Sequence, residues 1–294
     1  TLEETAYFLH ALLDPGKAVV LTCAMRPASS AAPDGPQNVL DAVAVATAPG
    51  ARGVVAVCAG TIHSAVDVQK MHTYRVDAFG SGDAGPIGYV EEGVVRLVRN
   101  WPSAPVSYAP EAIEKIVNLA VWPWVEIVMN YTGARGAIVK ALMNQPQNSS
   151  ASGDEPVLKG LVVAATGNGT VHQDLEKALL EAKHSGVAVV RATRCPMGRV
   201  ISPPDARFPD SGGLSPVKAR IALMLTLAVH SGCRSDQAKS VAQGLKRTAG
   251  DLFHAASAAD GAVFRCCGGL CLRPVRVIRH QRAGLPLIDV QPLA

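Results

Sequence analysis

The sequence has few aromatic side chains, no long apolar run and no regular cysteine spacing. Phe, Trp and Tyr make up 4% of the 294 residues, so a core must be built from Val, Ala and Leu. No apolar run approaches the ~18 residues that span a bilayer. Seven cysteines without regular spacing do not fit a disulfide framework. With 48% hydrophobic and 18% charged residues, the chain is neither disordered nor a coiled coil.

Charge is distributed unevenly along the chain. The first 229 residues carry 19 Lys and Arg against 20 Asp and Glu, whereas the last 65 carry 9 against 4. A nearly neutral body argues against a nucleic-acid partner, and the basic end lacks the interleaved aromatics of a nucleic-acid arm. Cysteines follow the same division, with three in the body and four in the basic end, at positions 23, 58, 195, 233, 266, 267 and 271.

Apolar strands and helical patterns alternate along most of the chain. The T-x-x-E start predicts a capped helix before Pro15, followed by a strand at 18–21, a helix from Pro36 and a strand at 53–58. Residues 88–97 predict a β-hairpin about Glu92 and Gly93. A second series follows, with strands at 125–129, 161–165 and 187–190 and a helix after Ser215-Pro216. This order is typical of parallel-sheet α/β proteins.

The chain is therefore predicted to contain two α/β domains and a tail. We predict a larger N-terminal domain over residues 1–105, a linker over 106–121, a smaller C-terminal domain over 122–245 and an atypical basic tail over 246–294. The tail does not continue the alternation of strand and helix patterns seen in the rest of the chain, so we expect no ordered elements there. A zinc site at its cysteines and His280 is disfavoured, because a second C-x-x-C pair is missing.

Ligands of open α/β sheets bind beyond the carboxyl ends of the strands, where three loops qualify. They cover residues 22–27, 61–73 and 166–170. The third, Thr-Gly-Asn-Gly-Thr, precedes a helix, and its glycines allow a close backbone approach to a ligand. Taken singly, a tight turn or a solvated lysine explains each loop equally well.

Eight segments occur in the order and spacing of one family. They are Thr-Leu-Glu-Glu-Thr-Ala-Tyr-Phe-Leu at the start, Ala-Met-Arg-Pro at 24–27, Asp-Gly-Pro-Gln-Asn at 34–38, Asp-Val-Gln-Lys-Met-His-Thr at 67–73, Gly-Pro-Ile-Gly-Tyr at 85–89, Gly-Asn-Gly-Thr at 167–170, Val-Val-Arg at 189–191 and Leu-Ser-Pro-Val-Lys-Ala-Arg at 214–220. Over residues 1 to about 230 the chain resembles the bacterial L-asparaginase/glutaminase family.

The resemblance implies two α/β domains, the second flavodoxin-like, and hydrolysis of L-asparagine to L-aspartate and ammonia without a cofactor. In the family a Thr hydroxyl attacks the amide carbon, supported by a second group of Thr, Asp and Lys. Lys70 matches that lysine. Ala24 matches a position whose backbone lies against the substrate amide. Asn168 and Thr170 match a loop that reaches the substrate's α-amino end from a neighbouring subunit, which implies a homotetramer of close dimers.

The family's nucleophilic Thr and the Thr-Asp pair fall before the position of Thr1. We therefore expect a truncated member that is inactive as a 294-residue chain. Two alternatives remain open: a non-catalytic remnant that keeps an interaction surface, and an amidase directed to glutamine. The compartment, periplasm or cytoplasm, is left open too. The family also places an acidic residue within 202–213, for which Asp205 and Asp210 are the candidates.

Several further side chains are predicted to support these loops. Arg26 and Asp34 are expected to fix the Ala24 loop through a charge-assisted hydrogen bond. Asp67 is expected to orient the Lys70 loop, and His63 and His72 to belong to its surroundings. Asn130 and Tyr131 are expected to line a dimer face.

Overall fold

The computed structural model describes residues 1–102, 108–144, 157–230, 263–266, 275–282 and 285–292. Its elements confirm the predicted α/β class with parallel sheets. The strands of the first sheet run in the order β11 (Val263–Cys266), β1 (Val19–Thr22), β2 (Val54–Cys58), β3 (Thr61–Ser64), β6 (Gly88–Glu91) and β7 (Val94–Leu97). Those of the second run in the order β10 (Ala188–Thr193), β9 (Leu158–Ala165) and β8 (Trp124–Met129). The elements of the first part are α1 (Leu2–Leu12), β1 (Val19–Thr22), α2 (Gly35–Ala46), β2 (Val54–Cys58), β3 (Thr61–Ser64), β4 (Gln69–Lys70), β5 (Phe79–Gly80), β6 (Gly88–Glu91) and β7 (Val94–Leu97).

Two helices cover opposite faces of the first sheet. Leu2 and Ala6 of α1 pack on Leu21 and Ala56, and on the other face Ala42 and Val45 of α2 join a separate cluster with other residues of the sheet. Because both faces are covered, β2 is buried along its whole length, as its unbroken run of apolar residues predicts. Thr1 precedes α1 as expected, but its hydroxyl donates to the Glu4 carboxylate at 2.5 Å, so the predicted capping box is not formed in its usual way.

The predicted hairpin is present, and the segment before it differs from the prediction. β6 and β7 pair antiparallel about Glu92 and Gly93, whose φ angles of 50° and 75° fit a two-residue turn. Residues 61–73 were predicted as a loop, yet β3 pairs antiparallel with β2 and β4 pairs with β5. These strands are too short for period-two alternation to emerge from the sequence.

The second sheet is parallel and is covered by helices on both faces. Its elements are α3 (Pro110–Val117), β8 (Trp124–Met129), α4 (Ala137–Met143), β9 (Leu158–Ala165), α5 (Gln173–His184), β10 (Ala188–Thr193) and α6 (Pro216–His230). Val139 of α4 and Leu179 of α5 pack on one face. Leu223 and Leu225 of α6 pack on the other, where Tyr7 and Ala11 of α1 join the same cluster. The helix α1 thus contributes to both cores.

The tail contains three strands, contrary to the expectation that it lacks ordered elements. They are β11 (Val263–Cys266), β12 (Val275–Arg282) and β13 (Leu285–Pro292). β11 pairs parallel with β1, and β12 pairs antiparallel with β13. β1 also pairs with β2, so β11 gives the backbone groups of β1 hydrogen-bond partners on both sides. An edge strand with unpaired backbone groups favours the pairing of a further strand. Within the described residues, no helix is both long and apolar enough for a membrane span.

Candidate functional site

The turn that contains Ala24 follows β1 directly and is held by Asp34. The Asp34 carboxylate accepts hydrogen bonds from the backbone N–H groups of Met25 at 2.9 Å and Arg26 at 2.8 Å. The predicted charge-assisted bond therefore exists, but its donor is the backbone of Arg26, whose guanidinium instead donates to the carbonyl of Ala32. Burial raises the pKa of Asp34, but the hydrogen bonds from the two backbone N–H groups outweigh that effect and lower it below its usual value. Ala24 itself is exposed.

Asn38, which sequence reasoning passed over, connects the ends of the two strands β1 and β2. Its side-chain Nδ2 donates to the carbonyl of Cys23 at 2.8 Å, and its Oδ1 accepts from the N–H of Ala59 at 3.0 Å. Asn38 is 3% exposed, so both bonds are shielded from water. The turn at Ala24 is therefore fixed to the turn after β2, where Ala59 and Gly60 adopt positive φ.

Lys70 lies on β4, and its side chain is exposed rather than enclosed among polar groups. Its Nζ lies 5.7 Å from the centroid of the Phe79 ring. The hydrogen bond with Cys58 lowers the pKa of Cys23, and the charge of Lys70 acts in the same direction. Phe79, over whose ring the Lys70 amine lies, and Cys23 pack against the same apolar cluster.

The segment before Lys70 is held from the other sheet by a buried lysine. Lys218, on α6, has no exposed surface, and its Nζ donates to the carbonyls of Val66, at 2.7 Å, and Val68. Burial lowers the pKa of Lys218 to about 8, while the charges of Glu3 and Asp67 oppose that shift. Sequence reasoning did not single out this lysine. A charged residue inside an otherwise apolar helix was the available signal.

Asp67 and His63 stabilise the same segment, as predicted for them. Asp67 accepts the Ser64 hydroxyl at 2.6 Å and the Arg99 guanidinium at 3.1 Å. His63 is buried and shares a 2.7 Å hydrogen bond between its Nδ1 and the Ser81 hydroxyl. Burial lowers the pKa of His63 to about 4, so the ring is neutral at physiological pH.

The loop of Asn168 and Thr170 lies on the second sheet, between β9 and α5. Asn168 accepts from the Ile201 N–H at 2.6 Å and donates to the Ile201 carbonyl at 3.2 Å, while the Thr170 side chain is exposed. Asn130 holds the end of this loop through two hydrogen bonds. Its side chain donates to the Thr170 carbonyl at 3.1 Å and accepts from the His172 N–H at 2.8 Å. Asn130 is buried, which corrects its predicted place on a dimer face.

The two candidate acidic residues occupy different positions. Asp205 is exposed. Asp210 accepts from the Gly212 N–H at 2.9 Å, and its backbone forms an isolated parallel β-bridge with the backbone of Arg191 in β10. Arg191 in turn donates to the Gly169 carbonyl at 3.2 Å, so Asp210 is linked to the Asn168 loop. In the part of the chain described, no three His, Cys, Asp or Glu residues group together as a metal site. The side chains of the suggested tail cysteines and His280 lie outside the described residues.

Two family models match the chain in succession. The model for "Asparaginase, N-terminal" matches residues 1–103, and the model for "Glutaminase/Asparaginase C-terminal domain" matches residues 124–238. The chain therefore belongs to the asparaginase family, and its two-domain α/β fold agrees with that membership.

Individual proteins to which the chain is similar are also asparaginases or glutaminase-asparaginases by name. L-asparaginase 2 of Escherichia coli is 36% identical over 236 residues, which are 77% of this chain and 63% of that protein. Glutaminase-asparaginase of Pseudomonas fluorescens is 33% identical over 236 residues, 77% of this chain and 61% of the relative. The crystal structure of a probable cytoplasmic L-asparaginase from Campylobacter jejuni superposes with a TM-score of 0.71 at 32% identity, covering 83% of this chain and 74% of that one. The chain thus spans about three fifths of the length of these two curated relatives.

Proposed function

We propose that this chain forms the greater part of an amidohydrolase that converts L-asparagine to L-aspartate and ammonia. The observation that carries the proposal is the exposed Ala24 turn at the end of β1, which Asp34 and Asn38 hold in place, with the charge of Lys70 acting on the adjacent Cys23. A backbone segment fixed at the carboxyl end of a parallel strand can position a substrate amide for attack without any rearrangement of the protein. Family membership supplies the substrate class.

The proposed roles follow the positions of the side chains. A Thr hydroxyl attacks the side-chain amide carbon, and the resulting acyl-enzyme is hydrolysed by water. Lys70 accepts or shares the proton of that hydroxyl, a task for which the amine has to be held within hydrogen-bond reach and away from water. Lys70 is exposed in this structure. Enclosure of its Nζ by further polypeptide and by substrate is therefore part of the proposal. No metal or cofactor is needed.

The nucleophile is proposed to lie outside residues 1–294. The sequence contains no Thr-Gly-Gly-Thr segment. Steady ammonia release from asparagine by the 294-residue chain would refute this part of the proposal. A longer polypeptide that adds a Thr-Gly-Gly-Thr segment before Thr1 should hydrolyse asparagine, and replacing the first Thr of that segment by Ala should abolish turnover. Equal rates for the Thr→Ala variant and its parent would place the nucleophile elsewhere.

The substrate's α-amino end is proposed to meet the Asn168 loop of a second copy of the chain in a homotetramer. Exposed apolar side chains near that loop support this: Ile201, which Asn168 holds, is 71% exposed, and Met197 is 56% exposed. Sedimentation velocity of the wild-type protein and an Ile201→Asp variant tests the assembly. Monomers in the wild type, or unchanged tetramers in the variant, would count against this interface.

A preference for asparagine over glutamine is the remaining part of the proposal. Ammonia release from both amides by the same active protein measures it directly. A higher kcat/KM for glutamine would identify the chain as part of a glutamine-directed amidase and leave the acyl-enzyme chemistry unchanged.

A further inference from the structure

Two cysteines meet at the ends of neighbouring strands, beside the Ala24 turn. The Sγ atoms of Cys23 and Cys58 lie 3.8 Å apart. Cys23 follows the last residue of β1, and Cys58 is the last residue of β2. Both are free thiols. The proposed hydrolysis uses neither of them.

The backbone places these residues within the range of a disulfide. β1 and β2 are parallel, and the pairing of Leu21 with Ala56 brings Cys23 opposite Cys58 two residues later. Neighbouring strands lie about 4.8 Å apart, inside the Cα separation of roughly 4.4–6.8 Å found in disulfides. The sulfurs would have to approach from 3.8 Å to about 2.05 Å, a change that rotation of the side chains could provide.

The two thiols differ in access and in acidity. Cys58 is 4% exposed, whereas Cys23 is half-buried and therefore the one an external reagent reaches first. Their mutual hydrogen bond lowers the pKa of Cys23 and raises that of Cys58, and burial raises the latter further. The nearby Lys70 also lowers the pKa of Cys23. Attack therefore begins at Cys23, and Cys58 is the resolving thiol.

We propose that Cys23 and Cys58 form a redox-active dithiol site that a small disulfide, such as oxidised glutathione, converts into an intramolecular disulfide. The Cys23 thiolate attacks one glutathione sulfur, which forms a mixed disulfide and releases one glutathione thiolate. The Cys58 sulfur, losing its proton, then attacks the Cys23 sulfur and expels the second glutathione. Two protein thiols are oxidised and one glutathione disulfide is reduced to two thiols. The bond joins the two strand ends that Asn38 already connects.

The test is thiol counting and intact mass on a two-cysteine protein. The other five cysteines, at positions 195, 233, 266, 267 and 271, are replaced by Ser. Under native conditions with excess oxidised glutathione, this protein should lose both reactive thiols and two hydrogen atoms, with no glutathione retained. Dithiothreitol should restore both thiols. The same protein in guanidinium should form the bond more slowly, because only the fold keeps the two sulfurs together.

Two single-cysteine controls separate the steps. With Cys58→Ser added, Cys23 should retain one glutathione. With Cys23→Ser added, Cys58 should stay unmodified in the folded protein. Because five Ser replacements could impair folding, peptide mapping of the oxidised wild-type chain provides a second measurement, in which a peptide joined through Cys23 and Cys58 is expected. A persistent Cys23–glutathione adduct, no oxidation, or a bond from Cys23 to a tail cysteine would overturn the proposal. None of these outcomes depends on amide hydrolysis.

Discussion

Replacing Lys218 by Met tests the buried connection between α6 and the segment before Lys70. The variant removes the two hydrogen bonds from Nζ to the carbonyls of Val66, which is partly buried, and Val68, which is buried. Each unsatisfied acceptor costs about 1–3 kcal/mol. Removing a buried cation regains part of that loss. The pKa of Lys218 falls from 10.5 to about 8, and at about 1.4 kcal/mol per unit this corresponds to about 3 kcal/mol.

The pH dependence of the difference in stability is the sharper part of this prediction. At pH 7 the wild type should exceed the variant by about 1 kcal/mol in free energy of unfolding, since two lost acceptors at about 2 kcal/mol each outweigh the relieved charge at about 3 kcal/mol. Between pH 8 and 10.5 the unfolded chain keeps the lysine proton while the folded chain releases it, so stability rises with pH. The advantage of the wild type should therefore grow across this window by up to about 3 kcal/mol.

Urea unfolding at a series of pH values measures both quantities, because the titrations of groups that do not interact with Lys218 cancel in the difference. A Lys177→Met variant is the matched control: this lysine is 71% exposed, with an Asp174 carboxylate 3.5 Å away, so its replacement should change stability by less than about 0.5 kcal/mol at every pH. If the difference in free energy of unfolding between the wild type and Lys218→Met stays constant or shrinks above pH 8, the Lys218 amine does not have a pKa lowered by burial.

Three further substitutions each test a support of one of the three loops. As the pH falls from 6.5 to 4, the free energy of unfolding of the wild type should fall by up to about 3 kcal/mol relative to a His63→Leu variant. The reason is that the His63 ring takes up a proton in the unfolded chain but not in the folded one. Curves of unfolding free energy against pH that run parallel for the two proteins would contradict this. Asn130→Ala should cost about 2–4 kcal/mol by urea unfolding and speed hydrogen exchange at Thr170, and unchanged exchange would argue against its support of the loop. Asp34→Ala should cost about 1–3 kcal/mol and leave the Asn168 loop as protected as in the wild type; a broad loss of protection would indicate a wider role.

Regular elements with strong periodicity could be predicted from the sequence. The apolar run of β2, the Glu92-Gly93 hairpin and the Ser215-Pro216 start of α6 all lie where local chemistry places them. The short strands β3 to β5 could not, because two to four residues carry no readable alternation and their pairing depends on distant partners. The tail strands were missed for a related reason, since β11 is defined by its pairing with β1.

The candidate site was predictable only in part. The loops of Ala24 and of Asn168 follow the strands β1 and β9, as the ends of parallel strands predict. Asn38 and Asn130, which support those loops, and Lys218, which holds the segment before Lys70, join parts far apart in the chain. No local sequence pattern therefore predicts these three supports. The exposure of Lys70 is likewise a property of the tertiary structure. Its catalytic role stays a prediction, as do the roles of Ala24, Asn168 and Thr170.

Ammonia release in a longer, active polypeptide, with and without Lys70, tests the central claim most directly. In a protein that hydrolyses asparagine, Lys70→Met should lower kcat by at least about 100-fold, the usual contribution of a general base, while the free energy of unfolding changes little. Lys177→Met should retain full turnover. A Lys70→Met variant that releases ammonia at the wild-type rate would contradict the assignment of Lys70 to the reaction.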